Sequence, residues 1–237
     1  MEVKGLLART PVADGVRTPL IVVNFKAFPE ALGAKSLKLA AACAKVSDDT
    51  GASIAVAPAT PDLAIIAKHV RIPVLAQHVD ALEAGERTGW TPPEAALAAG
   101  AAGTLLNHSE RKVAWEEIAV SVRRCADLGL EVVGCADDLP EAETLAKLGP
   151  DFIAIEPPEL IGGHVSVTAA KPEVVSGAVD RIRAVNARVR VLCGAGVKTG
   201  RDVRRAIELG TVGVLVASGV VRAKDPAKAV RDLARGL

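Results

Sequence analysis

Short apolar, β-branched runs alternate along this chain with longer segments of helical periodicity, and the alternation repeats eight times. The runs fall at residues 20–25, 53–57, 73–77, 103–107, 131–135, 152–156, 188–193 and 213–216. Their middles are almost wholly apolar, the pattern of parallel strands covered by helices on both faces. Helices are expected between them, at 30–49, 61–69, 92–99, 113–128, 139–148, 171–185, 199–209 and 226–235. Pro61, Pro92 and Pro226 sit near helix starts, where a missing N–H costs little, and Gly51, Gly100, Gly129, Gly149 and Gly210 follow helix ends. Eight βα units within 237 residues predict an α/β fold, a parallel (β/α)8 barrel in one domain over residues 20–237. A doubly wound open sheet also alternates strand with helix, and it is the count of units and the length that favour the barrel.

Composition narrows the function classes. The 29 basic and 28 acidic residues are dispersed, with no basic block to neutralise a run of phosphates, so nucleic acid is not an expected partner. Apolar stretches are far shorter than the roughly 18 to 20 residues of a membrane span, and no membrane association is expected. Residues 1–19 lack the apolar block of a secretory signal and read as an extension of unknown role. Cys43, Cys125, Cys135 and Cys193 show no C-x-x-C spacing, which fits reduced, buried thiols in a cytoplasmic protein and no metal site. One Met, one Gln, three Asn and no Tyr fit avoidance of thermolabile residues.

In either architecture chemistry belongs beyond the carboxyl ends of the strands. The first strand runs into Asn24-Phe25-Lys26, where alternation places Asn24 and Lys26 on one side. The fourth ends in Asn107-His108-Ser109-Glu110-Arg111; a histidine beside a helix N-terminus is disfavoured from protonation and remains a neutral hydrogen-bond donor. The sixth delivers Glu156 straight from an apolar run, where desolvation raises its basicity, and Pro157-Pro158-Glu159-Leu160-Ile161-Gly162-Gly163 follows with the composition of a moving lid. Gly194, Gly196, Ala217, Ser218 and Gly219 follow the seventh and eighth strands, where small residues let backbone N–H groups approach an anion. Each has a bland alternative: a solvated lysine, a surface histidine, a rim carboxylate in an ion pair, ordinary glycine turns.

Taken together and in order, these five motifs resemble the short archaeal type of triosephosphate isomerase over about residues 20–237. The resemblance implies cytoplasmic central carbon metabolism, a triose phosphate substrate, no cofactor, and self-association as a homotetramer, or alternatively a dimer. It further implies that Glu156 is the catalytic base, His108 the electrophile and Lys26 the cation that holds substrate charge. Asn24 and Phe25 support the same pocket, Glu110 matches an acid behind it, and N–H groups around Ile161, Gly162, Gly196, Ala217 and Ser218 would hold phosphate. The chain departs from the family pattern at Arg87-Thr88-Gly89, where His-Thr-Gly is common, at Gly163, where a Thr commonly follows the first lid glycine, and in its front extension. Another phosphosugar isomerase or epimerase, or a catalytically silent binder on the same barrel, are the competing readings.

Overall fold

A computed structural model describes residues 16–161 and 166–237. The strands are β1 (Leu20–Asn24), β2 (Ser53–Ala57), β3 (Leu75–Ala76), β4 (Gly103–Leu106), β5 (Glu131–Ala136), β6 (Phe152–Ile155), β7 (Arg190–Cys193) and β8 (Gly213–Val216). Every pairing is parallel, and the sheet runs in the order β2-β1-β8-β7-β6-β5-β4-β3. A bridge between Val56 and Val74, with Val56 N–H donating to Pro73 at 3.0 Å, joins the two ends and closes the barrel. The helices are α1 (Ala34–Thr50), α2 (Leu63–His69), α3 (Pro93–Ala98), α4 (Trp115–Leu128), α5 (Leu139–Leu148), α6 (Val167–Ala170), α7 (Pro172–Val185), α8 (Gly200–Glu208), α9 (Ser218–Val221) and α10 (Pro226–Ala234). The expected barrel is therefore the observed one.

Alternation along the strands divides the core in two. Leu20, Val22, Ala55, Ala57, Leu105, Val133, Cys135, Phe152, Ala154, Leu192 and Leu215 meet inside the barrel. Ile21, Val23, Ile54, Val56, Leu106, Val132, Ile153, Ile155, Val191 and Val214 face outward and pack under the helices. The segment ahead of β1 also joins the inner set: Val16 is buried there, its N–H donates to Glu131 Oε2 at 3.0 Å, and Arg190 pairs with Glu131 at 3.1 Å while lying over the Phe152 ring. Residues 16–19 thus belong to the barrel's lower end; the rest of the predicted extension lies outside the described residues.

Several boundaries differ from the expected ones. Only two residues of the third run pair as strand, since Pro73 has no N–H to donate. The seventh strand starts at Arg190 because Asn186–Val189 closes a turn, Val189 N–H donating to Asn186. Asp138 caps α5 by accepting from Glu141 N–H, and Thr199 with Asp202 forms a full capping box on α8, so those two starts stand within a residue of expectation. Two four-residue helices, α6 and α9, lie outside the expected set because one turn is too short to show periodicity.

Candidate active site

The inward parity of two strands delivers two polar side chains to one end of the barrel. Phe152 and Ala154 point inward, and Glu156 is the next position of that series; Leu20 and Val22 lead likewise to Asn24. Glu156 is 3% exposed, its N–H bonded to Ala136 of β5 at 2.8 Å and its neighbour Ile155 bonded through the carbonyl to Gly194 N–H at 3.0 Å. The ladder thus extends past β6 and fixes the base of the side chain from both sides.

Lys26 is in the same cavity, but not by strand alternation. β1 ends at Asn24, and Lys26 has φ 49°. The turn is held by Asn24, whose Oδ1 accepts Lys26 N–H at 2.9 Å, and by Gln77, whose amide donates to the carbonyls of Lys26 at 3.0 Å and Ala57 at 2.9 Å. The ammonium meets Glu110 Oε1 at 2.7 Å. Gln77, the single glutamine of the chain, stands just past the end of β3 and gives no sign in its own sequence neighbours of this role.

His108 follows Asn107, a second non-glycine residue at positive φ, 60°. It is 7% exposed, Nδ1 accepts Glu110 N–H at 3.1 Å, and Nε2 lies 3.7 Å from Glu156 Oε2. Acceptance at Nδ1 fixes the neutral tautomer with its proton on Nε2, toward the Glu156 carboxylate. α4 begins at Trp115, seven residues on, so His108 lies ahead of that helix and outside its first turn. Burial lowers the imidazole below its ordinary value, and the Lys26 charge adds to the effect. Burial also pushes Glu156 up to about 7, against a hydrogen bond from Cys135 and the charge of Lys26, which both favour the carboxylate. One cation therefore favours an ionised Glu156 and a neutral His108 together.

Gly194 makes room for the carboxylate. A Cβ at that position would lie 2.3 Å from Glu156 Cγ and 2.8 Å from Cδ. The sequence marked this glycine only as part of a phosphate-approach loop, and nothing in its own neighbours signals the contact with β6.

The cavity has a volume of about 250 Å³ and is lined by Asn24, Lys26, Glu156, Ile161, Gly196, Ala217 and Ser218 among others. Its size suits a ligand of a few heavy atoms. Gly196 turns at φ 71°, and Ser218 begins α9, whose first N–H groups have no acceptor within the helix. A short extra helix after the eighth strand is a recurrent phosphate site in this architecture. Lys198 and Arg222 add two cations to this wall. Three expected residues are placed otherwise: Phe25 is fully buried in the layer under the helices and lines no part of the cavity, His108 is buried beside Glu156 and does not itself line it, and Gly162 lies outside the described residues. Among the described residues no cluster of metal-ligating side chains occurs, and no helix is long and apolar enough to cross a membrane.

Comparison with known proteins covers the whole barrel. A family described as "Triosephosphate isomerase" matches residues 19–233. Proteins named triosephosphate isomerase are similar along nearly their whole length. That of Methanobacterium bryantii is 48% identical over 91% of this chain and 96% of its own. That of Methanothermobacter thermautotrophicus is 47% identical over 91% and 94%, and that of Methanocaldococcus jannaschii 45% identical over 90% and 98%.

Proposed function

We propose, from the premise that the chain belongs to the triosephosphate isomerase family, a division of labour among Glu156, His108 and Lys26 for the reaction that the family carries out. That reaction interconverts dihydroxyacetone phosphate and D-glyceraldehyde 3-phosphate, an aldose–ketose isomerisation of glycolysis and gluconeogenesis. Glu156 takes a proton from the carbon beside the substrate carbonyl, and the C–H electron pair becomes the double bond of an enediolate as the carbonyl oxygen gains charge. His108 donates a hydrogen bond from Nε2 to that oxygen, and Lys26 stabilises the same charge. The hydroxyl proton on the first carbon passes by way of His108 to the former carbonyl oxygen, and Glu156 returns its proton to the adjacent carbon as the enediolate double bond supplies the new C–H pair and the first carbon becomes the carbonyl. Protons and electron pairs move within substrate and these side chains, so no cofactor enters the proposed steps. The phosphate lies against Gly196, Ala217 and Ser218, with the N–H groups of Ile161 and Gly162 completing its shell, and residues 157–163 serve as the lid that keeps water from the enediolate.

The observation that carries this reading is the meeting of a buried carboxylate raised to about 7 with a neutral, tautomer-fixed histidine 3.7 Å away, beside a lysine that favours both states. Glu156→Asp keeps the charge and withdraws it by about one methylene, so kcat in a coupled assay from dihydroxyacetone phosphate falls about 10²-fold or more while KM changes little. An unchanged kcat in the folded variant removes Glu156 from the mechanism. Lys26→Met, with length kept and charge removed, weakens binding of a phosphate-bearing inhibitor; wild-type inhibition would return Lys26 to a solvated role.

Self-association as a homotetramer, with a dimer as the alternative, is part of the proposal. Exposed Trp90, Trp115, Leu32 and Ile65 support it as apolar surface on the outer shell. Light scattering decides the number of subunits. A cytoplasmic location is proposed on the four free, buried cysteines, which fit a reducing compartment. Cell fractionation tests it.

A further inference from the structure

Among the described residues, the two non-glycine residues at positive φ are Lys26 and Asn107, and both stand where a reacting side chain leaves its strand. Asn107 sets the direction of His108. In β4, Leu105 points into the barrel and Leu106 toward the helices, so strand parity alone would send residue 108 to the helix side. The left-handed turn at Asn107 brings the imidazole to Glu156 instead.

Asn107 is 2% exposed and its amide is fully engaged. Nδ2 donates to Cys135 O at 3.0 Å and to Glu141 Oε1 at 2.8 Å, and Oδ1 accepts Val113 N–H at 3.1 Å. Glu141, in the first turn of α5, is itself fixed: Oε2 accepts Asp137 N–H at 2.6 Å, and both oxygens accept from Lys112 Nζ at 2.9 Å. Lys112 also pairs with Asp137 at 2.8 Å. None of Lys112, Asp137 or Glu141 lines the cavity.

We propose that Glu141, held in place by Lys112, is a positioning residue for isomerisation, acting through Asn107: its clasp on the Asn107 amide holds the left-handed turn that aims His108 at the reacting oxygen. The proposal rests on His108 being the electrophile. It assigns to α5, one βα unit away, a part in catalysis without contact to substrate. It also explains an asparagine in this turn, since Asn tolerates φ > 0 better than other side-chain-bearing residues and offers an amide to grip.

The test separates backbone aim from general packing. Asn107→Ala removes the amide and disfavours the turn, and kcat falls on the order of 10- to 100-fold with KM within about threefold. Asn107→Gly also removes the amide but adopts positive φ freely, and it recovers most of that loss. Glu141→Ala lowers kcat in the wild-type background and adds less than about twofold in the Asn107→Gly background, because the clasp acts only through residue 107. Glu141→Gln keeps an acceptor for the Asn107 amide and retains more kcat than Glu141→Ala. Should Asn107→Ala fail to fold, the two Glu141 variants in both backgrounds decide the matter. Equal impairment by Ala and Gly at 107, or an equal loss from Glu141→Ala in both backgrounds, overturns the proposal. His108→Gln is the control: if it is inactive while Asn107→Ala keeps wild-type kcat, the clasp alone is wrong, and if His108→Gln itself keeps wild-type kcat, the electrophile reading falls and the clasp with it.

Discussion

Glu156 must be ionised to act as a base, yet its burial favours the protonated form until about pH 7. Two measurements follow at the residue scale. The rate constant kcat/KM rises with pH through a single acid limb near that value, because His108, held below its ordinary 6.5, is already neutral there. Stability runs the other way. Unfolded, the carboxyl titrates near its ordinary 4.5, so between there and about 7 the folded state holds the extra proton; the contribution is fully present below the lower value and lost as pH rises through the upper one. At about pH 8 the buried charge costs on the order of 3 kcal/mol, and Glu156→Gln is more stable than wild type by a comparable amount, with the difference gone near pH 4 in a denaturant titration. Gly194→Ala tests the space beside the same carboxylate: the methyl displaces the Glu156 side chain, and kcat falls about 10²-fold with secondary structure unchanged. A wild-type kcat there would mean that the carboxylate has room to act from elsewhere. Glu156 was legible in sequence because strand parity continues one step past β6. Gly194 was not, since its constraint comes from a side chain 38 positions away in another strand.

Elements were legible in proportion to their length. Eight strands and eight principal helices repeat a period strongly enough to be read, whereas β3 shrinks beside Pro73 and α6 and α9 are single turns. The cost of missing α9 was functional, because it forms the cavity wall that carries Ser218 and brings Arg222 near the mouth. Lys198 and Arg222 face an entrance whose ligand is a phosphate dianion, and Arg222 is only loosely held, 3.8 Å from Glu30. Arg222→Ala is expected to lower kcat/KM by about 3- to 10-fold at low salt, with the deficit narrowing as ionic strength screens the charge. A deficit independent of salt would point to direct phosphate contact instead of steering.

For the whole molecule, the barrel separates chemistry from stability along its axis. Glu156, His108, Lys26 and the small residues after β7 and β8 crowd the carboxyl end, while the opposite end is closed by Val16, Glu131 and Arg190 around Phe152. Arg190 joins these parts: its guanidinium pairs with Glu131 at 3.1 Å, lies 3.7 Å above the Phe152 ring, and donates toward Val16 O at 3.5 Å. Partial exposure weakens the ion pair, so most of its worth is the stacked, desolvated contact with the ring. Arg190→Leu keeps some apolar cover but loses the pair and leaves Glu131 with only the Val16 N–H, costing about 1–2 kcal/mol. In a chain of this size that lowers Tm by roughly 2–8 °C. Because Phe152 and Glu156 lie on one inward series, the damage has a direct route to the base, yet two paired strands hold β6 between them. The variant therefore loses Tm and keeps kcat within about twofold, whereas Gly194→Ala loses kcat. Differential scanning calorimetry and the isomerase assay on the two variants read both axes, and a large fall in kcat from Arg190→Leu would show that the two ends of the barrel are not independent.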